Sequence, residues 1–239
     1  MDISNHRGFF RFGAWGAVAQ VCVLFVMIIA GAVLGARPET AREFLEAYGE
    51  QPFATLLRDD FSSLVLIALY AFTFPALFRA LYGLRPALVT FSVLATFMAI
   101  ILSLATNAAL SLMHLGEQYA QVASGVERQN LLLAAEAVLA SDMWHSSAGY
   151  FAGLLLQGSG ILISVVMLGS RDFMKWTAVA GIIANSGDLI QHLLHGAIPG
   201  LGTIILYVAG PFYLVWYILL AHNFFSLVHK DQLQTTQSV

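Results

Sequence analysis

The chain has 239 residues, of which 59% are hydrophobic and only 10% are charged, and its formal net charge is −3. An ordinary soluble domain carries about 25% charged residues, so this composition excludes that class and predicts an integral membrane protein. A slightly acidic chain gives no basic surface for nucleic acid, and we expect no such partner. The single cysteine, Cys22, excludes an intramolecular disulfide and a cysteine-based zinc site.

Six apolar runs are long enough to cross a bilayer, which takes about 20 helical residues. They lie near residues 14–36, 61–83, 86–113, 143–168, 173–197 and 200–226. None shows the alternating polarity of a barrel strand, so backbone hydrogen bonding in lipid predicts an all-α polytopic membrane protein with six transmembrane helices. The first run exceeds the core of a signal peptide, and we expect it to remain in the mature protein. Residues 1–228 are thus predicted as a single domain, and 229–239 as a polar tail that we expect to be disordered.

The first and third loops between the runs contain helix signals. In the first, Thr40 and Glu43 have the capping-box spacing, and an apolar stripe follows. In the third, Gly125 precedes the helix-favouring segment "NLLLAAEAVLA". We expect short interfacial helices in both loops, which either join the spans or cover the outer mouth of the bundle. The stripe of the first loop comprises Phe44, Leu45, Tyr48, Phe53, Leu56 and Leu57.

The distribution of basic residues predicts the orientation, because short cytoplasmic loops retain Lys and Arg. In a six-span topology one side holds Arg7, Arg11, Arg79, Arg85, Arg171, Lys175 and Lys230. The other side holds Arg37, Arg42, Arg58 and Arg128, together with most of the acids. Both termini are therefore predicted to be cytoplasmic, and the first, third and fifth loops to face outward.

Within the fifth run, the segment "NSGDLIQHLLHG" places Asp188, His192 and His195 on one helix face. An acid inside a span costs about 2.5 to 3.5 kcal/mol on insertion scales, so it marks a candidate functional site. The predicted topology brings the outer ends of neighbouring runs to a similar depth. Those ends carry Asp142, His145 and His114. Four of the seven histidines would therefore lie near the outer surface.

This set suits zinc or another divalent metal ion, with His114, His145, His192, His195 and Asp188 as candidate ligands. A metal-bound water would be a hydrolytic nucleophile, and Asp142 or Asp188 the candidate catalytic base. Four alternatives stay open: the polar residues only hold helices together, the chain binds haem, it transports a proton or small molecule, or it is a non-catalytic subunit of a larger membrane complex. Haem is disfavoured because no pair of histidines lies at mid-span.

The segments "RFGAWGAVAQVCVLFVMIIAGAVLG", "LGEQYAQVASGVERQNLLLAAEAVLA" and "WHSSAGYFAGLLLQGSGILISVVML" resemble a family of uncharacterised bacterial six-helix membrane proteins, catalogued as domain of unknown function 4386. The resemblance implies the six-span topology and a bacterial inner membrane, and it implies no activity. A second resemblance, of chemistry only, is to membrane-embedded zinc hydrolases that act on ceramide. From these observations we expect an outer-side His/Asp pocket in the bilayer, and lipid hydrolysis if the chain is an enzyme.

Overall fold

A computed structural model describes residues 6–35, 37–38, 40–58, 61–142, 145–194, 198 and 201–237. Within these ranges the chain is helical and contains no strand, which confirms the all-α prediction. The helices, in chain order, are α1 (His6–Leu34), α2 (Ala41–Glu50), α3 (Pro52–Arg58), α4 (Phe61–Ala68), α5 (Tyr70–Leu81), α6 (Pro86–Thr106), α7 (Ala109–Gln121), α8 (Val126–Leu139), α9 (Ser147–Met167), α10 (Lys175–Leu194) and α11 (Leu201–Gln237).

Five helical segments of the described chain are long and apolar enough to cross a membrane. They are Arg7–Leu34, Phe61–Leu81, Pro86–Gln121, Ser147–Met167 and Tyr207–Lys230. These segments fit a multi-pass membrane protein. Helix α10, which corresponds to the predicted fifth span, has sufficient length but is not among the five, because Asn185, Asp188, Gln191 and His192 lower its apolar character.

Two of the predicted runs are each divided into two helices. The second run is interrupted at Leu69, between α4 and α5, and the third at Asn107 and Ala108, between α6 and α7. The side chain of Asn107 stabilises the second interruption, since its Oδ1 accepts a hydrogen bond from the backbone N–H of Ala109 at 3.0 Å. At the other end of the chain, α11 continues to Gln237. No Pro or Gly occurs in this stretch to end the helix, and the disordered tail expected from 229 stays a prediction.

By its internal contacts the chain divides into two compact units. The first, here unit 1, comprises Met1–Cys22, Leu69–Ile100 and Gly153–Val239. The second, unit 2, comprises Val23–Ala68 and Ile101–Ala152.

Unit 2 has a core built from the short helices predicted in the loops. Thr40 caps α2, since its Oγ1 accepts a hydrogen bond from the backbone N–H of Glu43 at 3.2 Å. Gly125 precedes α8 with φ of 100°, a conformation that favours glycine. The apolar face of α2 packs against α7 and α8. The buried cluster comprises Ala41, Phe44, Leu45, Tyr48, Leu112, Tyr119, Leu132 and Ala135.

This core corrects part of the predicted stripe. Phe44, Leu45 and Tyr48 are buried as expected, but Phe53 is 74% exposed. Because α3 begins at Pro52, after the break at Gln51, the helical phase that α2 sets does not carry over to Phe53.

Tyr48 contributes a pH-dependent contact to this core. Its hydroxyl donates to Glu117 Oε1 at 3.5 Å, and its ring lies against Gly116, where a Cβ would come within 2.6 Å of Cδ1. Burial, and then the nearby Glu117 carboxylate, raise the pKa of Tyr48 above its ordinary value of 10.0.

A raised pKa in the folded state means that the fold retains the Tyr48 proton longer than the unfolded chain does. We therefore expect the contribution of Tyr48 to the stability of unit 2 to be fully present below pH 10.0 and to be lost as the pH rises above that value. The Tyr48→Phe variant should lose less stability over the same range. The difference in tyrosinate absorbance between the two proteins reports the pKa, and circular dichroism reports melting. A Tyr48 that titrates at or below its ordinary value would contradict the prediction.

Candidate functional site

The polar residues of unit 1 converge on Asp188, a half-buried acid in α10. Its Oδ2 accepts a hydrogen bond from Gln157 Nε2 of α9. The same oxygen accepts one from the Tyr213 hydroxyl of α11 at 3.0 Å. Asp188 thus joins three helices through neutral partners. Within the described chain, no Lys or Arg forms an ion pair with it.

The Tyr213 hydroxyl lies near more acceptor oxygens than it can donate a hydrogen bond to. Besides Asp188, it lies 2.8 Å from Gln157 Oε1 and 3.3 Å from Asn185 Oδ1. Both amides are fixed in these orientations, because Gln157 Nε2 donates to Asp188 and Asn185 Nδ2 donates to Gly181 O at 2.7 Å. A phenol has one proton, so it can donate to only one of the three oxygens at a time. The site therefore has an excess of acceptor oxygens.

Small residues on α9 allow the polar face of α10 to approach closely. A Cβ at Gly160 would lie within 2.8 Å of Asn185 Nδ2, and one at Gly153 within 2.8 Å of the His192 ring. Asn185 and His192 are 1% and 7% exposed. Any larger residue at these two glycines would displace a polar side chain of the site, so glycine is required by packing here.

Aromatic residues form the wall of the site on the α5 and α11 side. The hydroxyls of Tyr70 and Tyr217 share a hydrogen bond, and the Tyr217 ring stacks on Tyr213 with centroids 5.9 Å apart. Trp216, fully buried, packs beside Tyr213 at 6.2 Å. The titratable groups that interact electrostatically with Asp188 are His192, Tyr213, Tyr217 and Tyr70.

The other predicted site residues lie in unit 2 or outside the described residues. Asp142 is buried, and its Oδ1 accepts from the backbone N–H of His145 at 3.0 Å and lies 2.8 Å from His145 Nδ1. His114 is exposed on α7, where its Nε2 lies 2.9 Å from Gln118 Nε2. His195 lies outside the described residues. Asp188 and His192 lie on the same helix and interact electrostatically, whereas Asp142 and His145 are in direct contact.

In the described part of the chain, no three His, Cys, Asp or Glu residues lie close enough to hold a metal ion. Because one of the five candidate ligands, His195, is not described, the complete metal site stays a prediction. The groups that do converge on Asp188 are oxygens of Asp, Gln, Asn and Tyr. Such oxygens suit hard cations, whereas zinc in proteins is usually held by imidazole nitrogen or thiolate sulfur.

Two of the residues that bond Asp188 were not assigned to it from the sequence. Gln157 is visible as a polar residue in an apolar run, but its helical phase alone does not identify its partner. Tyr213 belongs to a row of aromatic residues on α11, and nothing in the sequence separates it from Tyr207, which is 78% exposed. The available signal was that Gln157 and Tyr213 are each a polar residue in an apolar run. Only the packing of α9 and α11 against α10 shows that both bond to Asp188.

Comparison with known proteins adds no assignment. No protein-family model matches the chain, and no curated protein or solved structure matches it either. The resemblance to the uncharacterised six-helix family therefore stays a prediction.

Proposed function

We propose that the chain is a six-span protein of the bacterial inner membrane with both termini in the cytoplasm. In this topology α10 is the sixth span, in addition to the five apolar helical segments. Support comes from burial: Asn185 and His192, two of the polar residues that lower the apolar character of α10, are buried, and the half-buried Asp188 is bonded to α9 and α11. A span whose polar residues face other helices does not need to be apolar on every side.

The function that the geometry supports best is the binding of a hard monovalent cation, Na⁺ or a proton, at Asp188, as part of a transport-type or cation-coupled activity. One observation carries this proposal, the excess of acceptor oxygens around the Tyr213 hydroxyl. Lone pairs that face one another across about 3 Å repel in a medium of low dielectric constant. A cation among these oxygens removes the repulsion and balances the Asp188 charge.

The proposal predicts that Na⁺ stabilises the purified protein through Asp188. A ligand that binds only the folded state at 100 times its dissociation constant adds about 2.7 kcal/mol to the free energy of unfolding. We therefore expect the melting temperature in detergent to rise with NaCl and not with choline chloride, and the Asp188→Asn variant to lose this response. Stabilisation by lower pH in choline chloride, again lost in Asp188→Asn, would identify the proton as the occupant.

The matched control is Asp172→Asn, which removes an exposed carboxylate that pairs with Lys230 at 3.2 Å. This variant should keep the full response to Na⁺, since a surface ion pair contributes little. A melting temperature that responds neither to Na⁺ nor to lower pH through Asp188, in a folded wild-type protein, would contradict the cation site.

The predicted metal-dependent hydrolysis of a lipid is the second candidate, and the Asp142–His145 contact favours it. A carboxylate bound to Nδ1 orients an imidazole so that Nε2 is available to a metal ion. Elemental analysis of the same purified protein separates the two candidates, because stoichiometric zinc supports the hydrolase. A protein that co-purifies in fixed ratio would instead support the accessory-subunit alternative, and a Soret band would support haem.

A further inference from the structure

A surface cavity of about 270 Å³ lies in unit 2, between the N-terminal turns of α2 and α8 and the end of α7. Two arginines line it, Arg42 of α2 and Arg128 of α8, and none of the described residues in its wall is acidic. Tyr119, Leu132 and the loop before α8 form most of the remaining wall. The wall of this cavity therefore carries two positive charges, although the net charge of the chain is −3.

Two contacts hold Arg128 in the wall. Its guanidinium carbon lies 4.1 Å from the centroid of the Tyr119 ring, and its Nη1 donates to Ala123 O at 3.2 Å. Tyr119 is itself buried, so the ring under the guanidinium is fixed. A guanidinium has five N–H donors in one plane. The ring covers one face of this plane and Ala123 O takes one nitrogen, which leaves donors for a ligand at the edge.

Both arginines lie in the first turn of a helix, where a cation is unfavourable. Arg42 is the second residue of α2, and Arg128 is the third residue of α8. The helix macrodipole is positive at this end, so it opposes both guanidiniums. The described ion pair of Arg42, with Glu46 Oε1 at 3.9 Å, is exposed and therefore weak. An anion between the two arginines would remove this electrostatic conflict.

The start of α8 adds neutral donors to the same cavity. Gly125 precedes α8 and lines the cavity, and it has no side chain that could cap the helix. A Cβ at Gly125 would meet no atom within 4 Å, so the space beside the helix end is open. The first N–H groups of a helix have no partner within the helix and readily bind anions. These groups supplement the two guanidiniums.

We infer that this cavity, here the Arg42–Arg128 pocket, binds the phosphate group of an anionic ligand. Guanidinium groups match phosphate oxygens with pairs of parallel hydrogen bonds, which a single charge centre such as ammonium does not provide. The volume of about 270 Å³ lies just below the range of about 300–1,000 Å³ that encloses drug-sized ligands. It therefore suits one phosphate group with the few atoms attached to it.

The phosphate can come from a lipid headgroup or from a soluble molecule. The apolar segment Pro86–Gln121 ends beside the pocket and has 36 residues. Crossing the hydrocarbon core takes only about 20 helical residues, so the Gln121 end of this segment extends into the headgroup layer or the water beyond it. The pocket is within reach of both sources at this depth.

Calorimetric titration of the full chain in a neutral detergent tests the pocket. The probes are inorganic phosphate and the soluble lipid dihexanoyl phosphatidic acid, and dihexanoylglycerol is the reference without phosphate. We expect Arg128→Gln to weaken phosphate binding about tenfold or more, because it removes charge-assisted hydrogen bonds. Arg42→Gln should weaken it about threefold, because Arg42 is 59% exposed. The matched control is Arg171→Gln, the same change at an exposed arginine of unit 1, which should bind like the wild type.

The pattern of binding identifies the source of the phosphate. Binding of phosphatidic acid alone assigns the pocket to a lipid headgroup, and equal binding of inorganic phosphate assigns it to a soluble ligand. Binding of neither probe would overturn the pocket, as would equal binding of dihexanoylglycerol. Affinities that both arginine variants leave unchanged would overturn it too. Arg42→Gln keeps the test decisive if Arg128→Gln does not fold, because Arg42 lies at the surface.

Discussion

The Tyr213→Phe variant is expected to bind Na⁺ at Asp188 about 10 to 100 times more weakly than the wild type, because hydrogen bonds to charged groups contribute about 1.5–3 kcal/mol. Among the residues that the structure describes, Tyr213 alone contacts Asp188, Gln157 and Asn185 together. Without its hydroxyl, these three side chains lose the group that holds their oxygens around one point. The shift of melting temperature with NaCl, converted to an apparent dissociation constant, measures the effect.

The control for this variant is Tyr207→Phe, in the same helix, because Tyr207 is 78% exposed and its hydroxyl belongs to no described contact of the site. Tyr207→Phe should bind the cation like the wild type. If Tyr213→Phe binds it equally well, the convergence of oxygens on the Tyr213 hydroxyl has no part in binding, and the cation would have to contact Asp188 from another direction.

The second large effect concerns stability. Leu45→Ala should lower the stability of unit 2 by about 2–5 kcal/mol, the usual cost of a cavity left by a buried leucine. Leu45 is 0% exposed, and it belongs to the cluster that joins α2 to α7 and α8. Hydrogen–deuterium exchange of α2 and α8 should accelerate accordingly, since local opening would expose their backbone amides.

Phe53→Ala tests whether packing, and not hydrophobicity alone, explains this effect. Phe53 is larger than Leu45 and belongs to the same predicted apolar stripe, but it is 74% exposed. Its removal should change the exchange of α2 and α8 much less than Leu45→Ala does. The reverse order would mean that the α2–α7–α8 core is not the element that stabilises unit 2.

Composition and local signals predicted most of the secondary structure. A low share of charged residues and long apolar runs require helices, since each backbone group in lipid must find a partner within its own segment. The cap at Thr40 and the start of α8 after Gly125 depend on residues within one turn, and both were predicted. The interruption at Asn107 was missed, because an Asn side chain can satisfy its own backbone or a distant helix, and the sequence does not distinguish the two.

The sequence alone determined the helical fold and the apolar character of a multi-pass membrane protein, and it predicted Asp188 as a candidate site residue, because these follow from the transfer cost of polar groups and from the helical period. Which residues surround Asp188 was decided only by tertiary structure. The predicted histidines from three helices stay a prediction, and the described hydrogen-bond partners of Asp188 are Gln157 of α9 and Tyr213 of α11. Periodicity fixes the face of one helix, but the rotation and depth of its neighbours depend on where glycines such as Gly153 and Gly160 permit close approach.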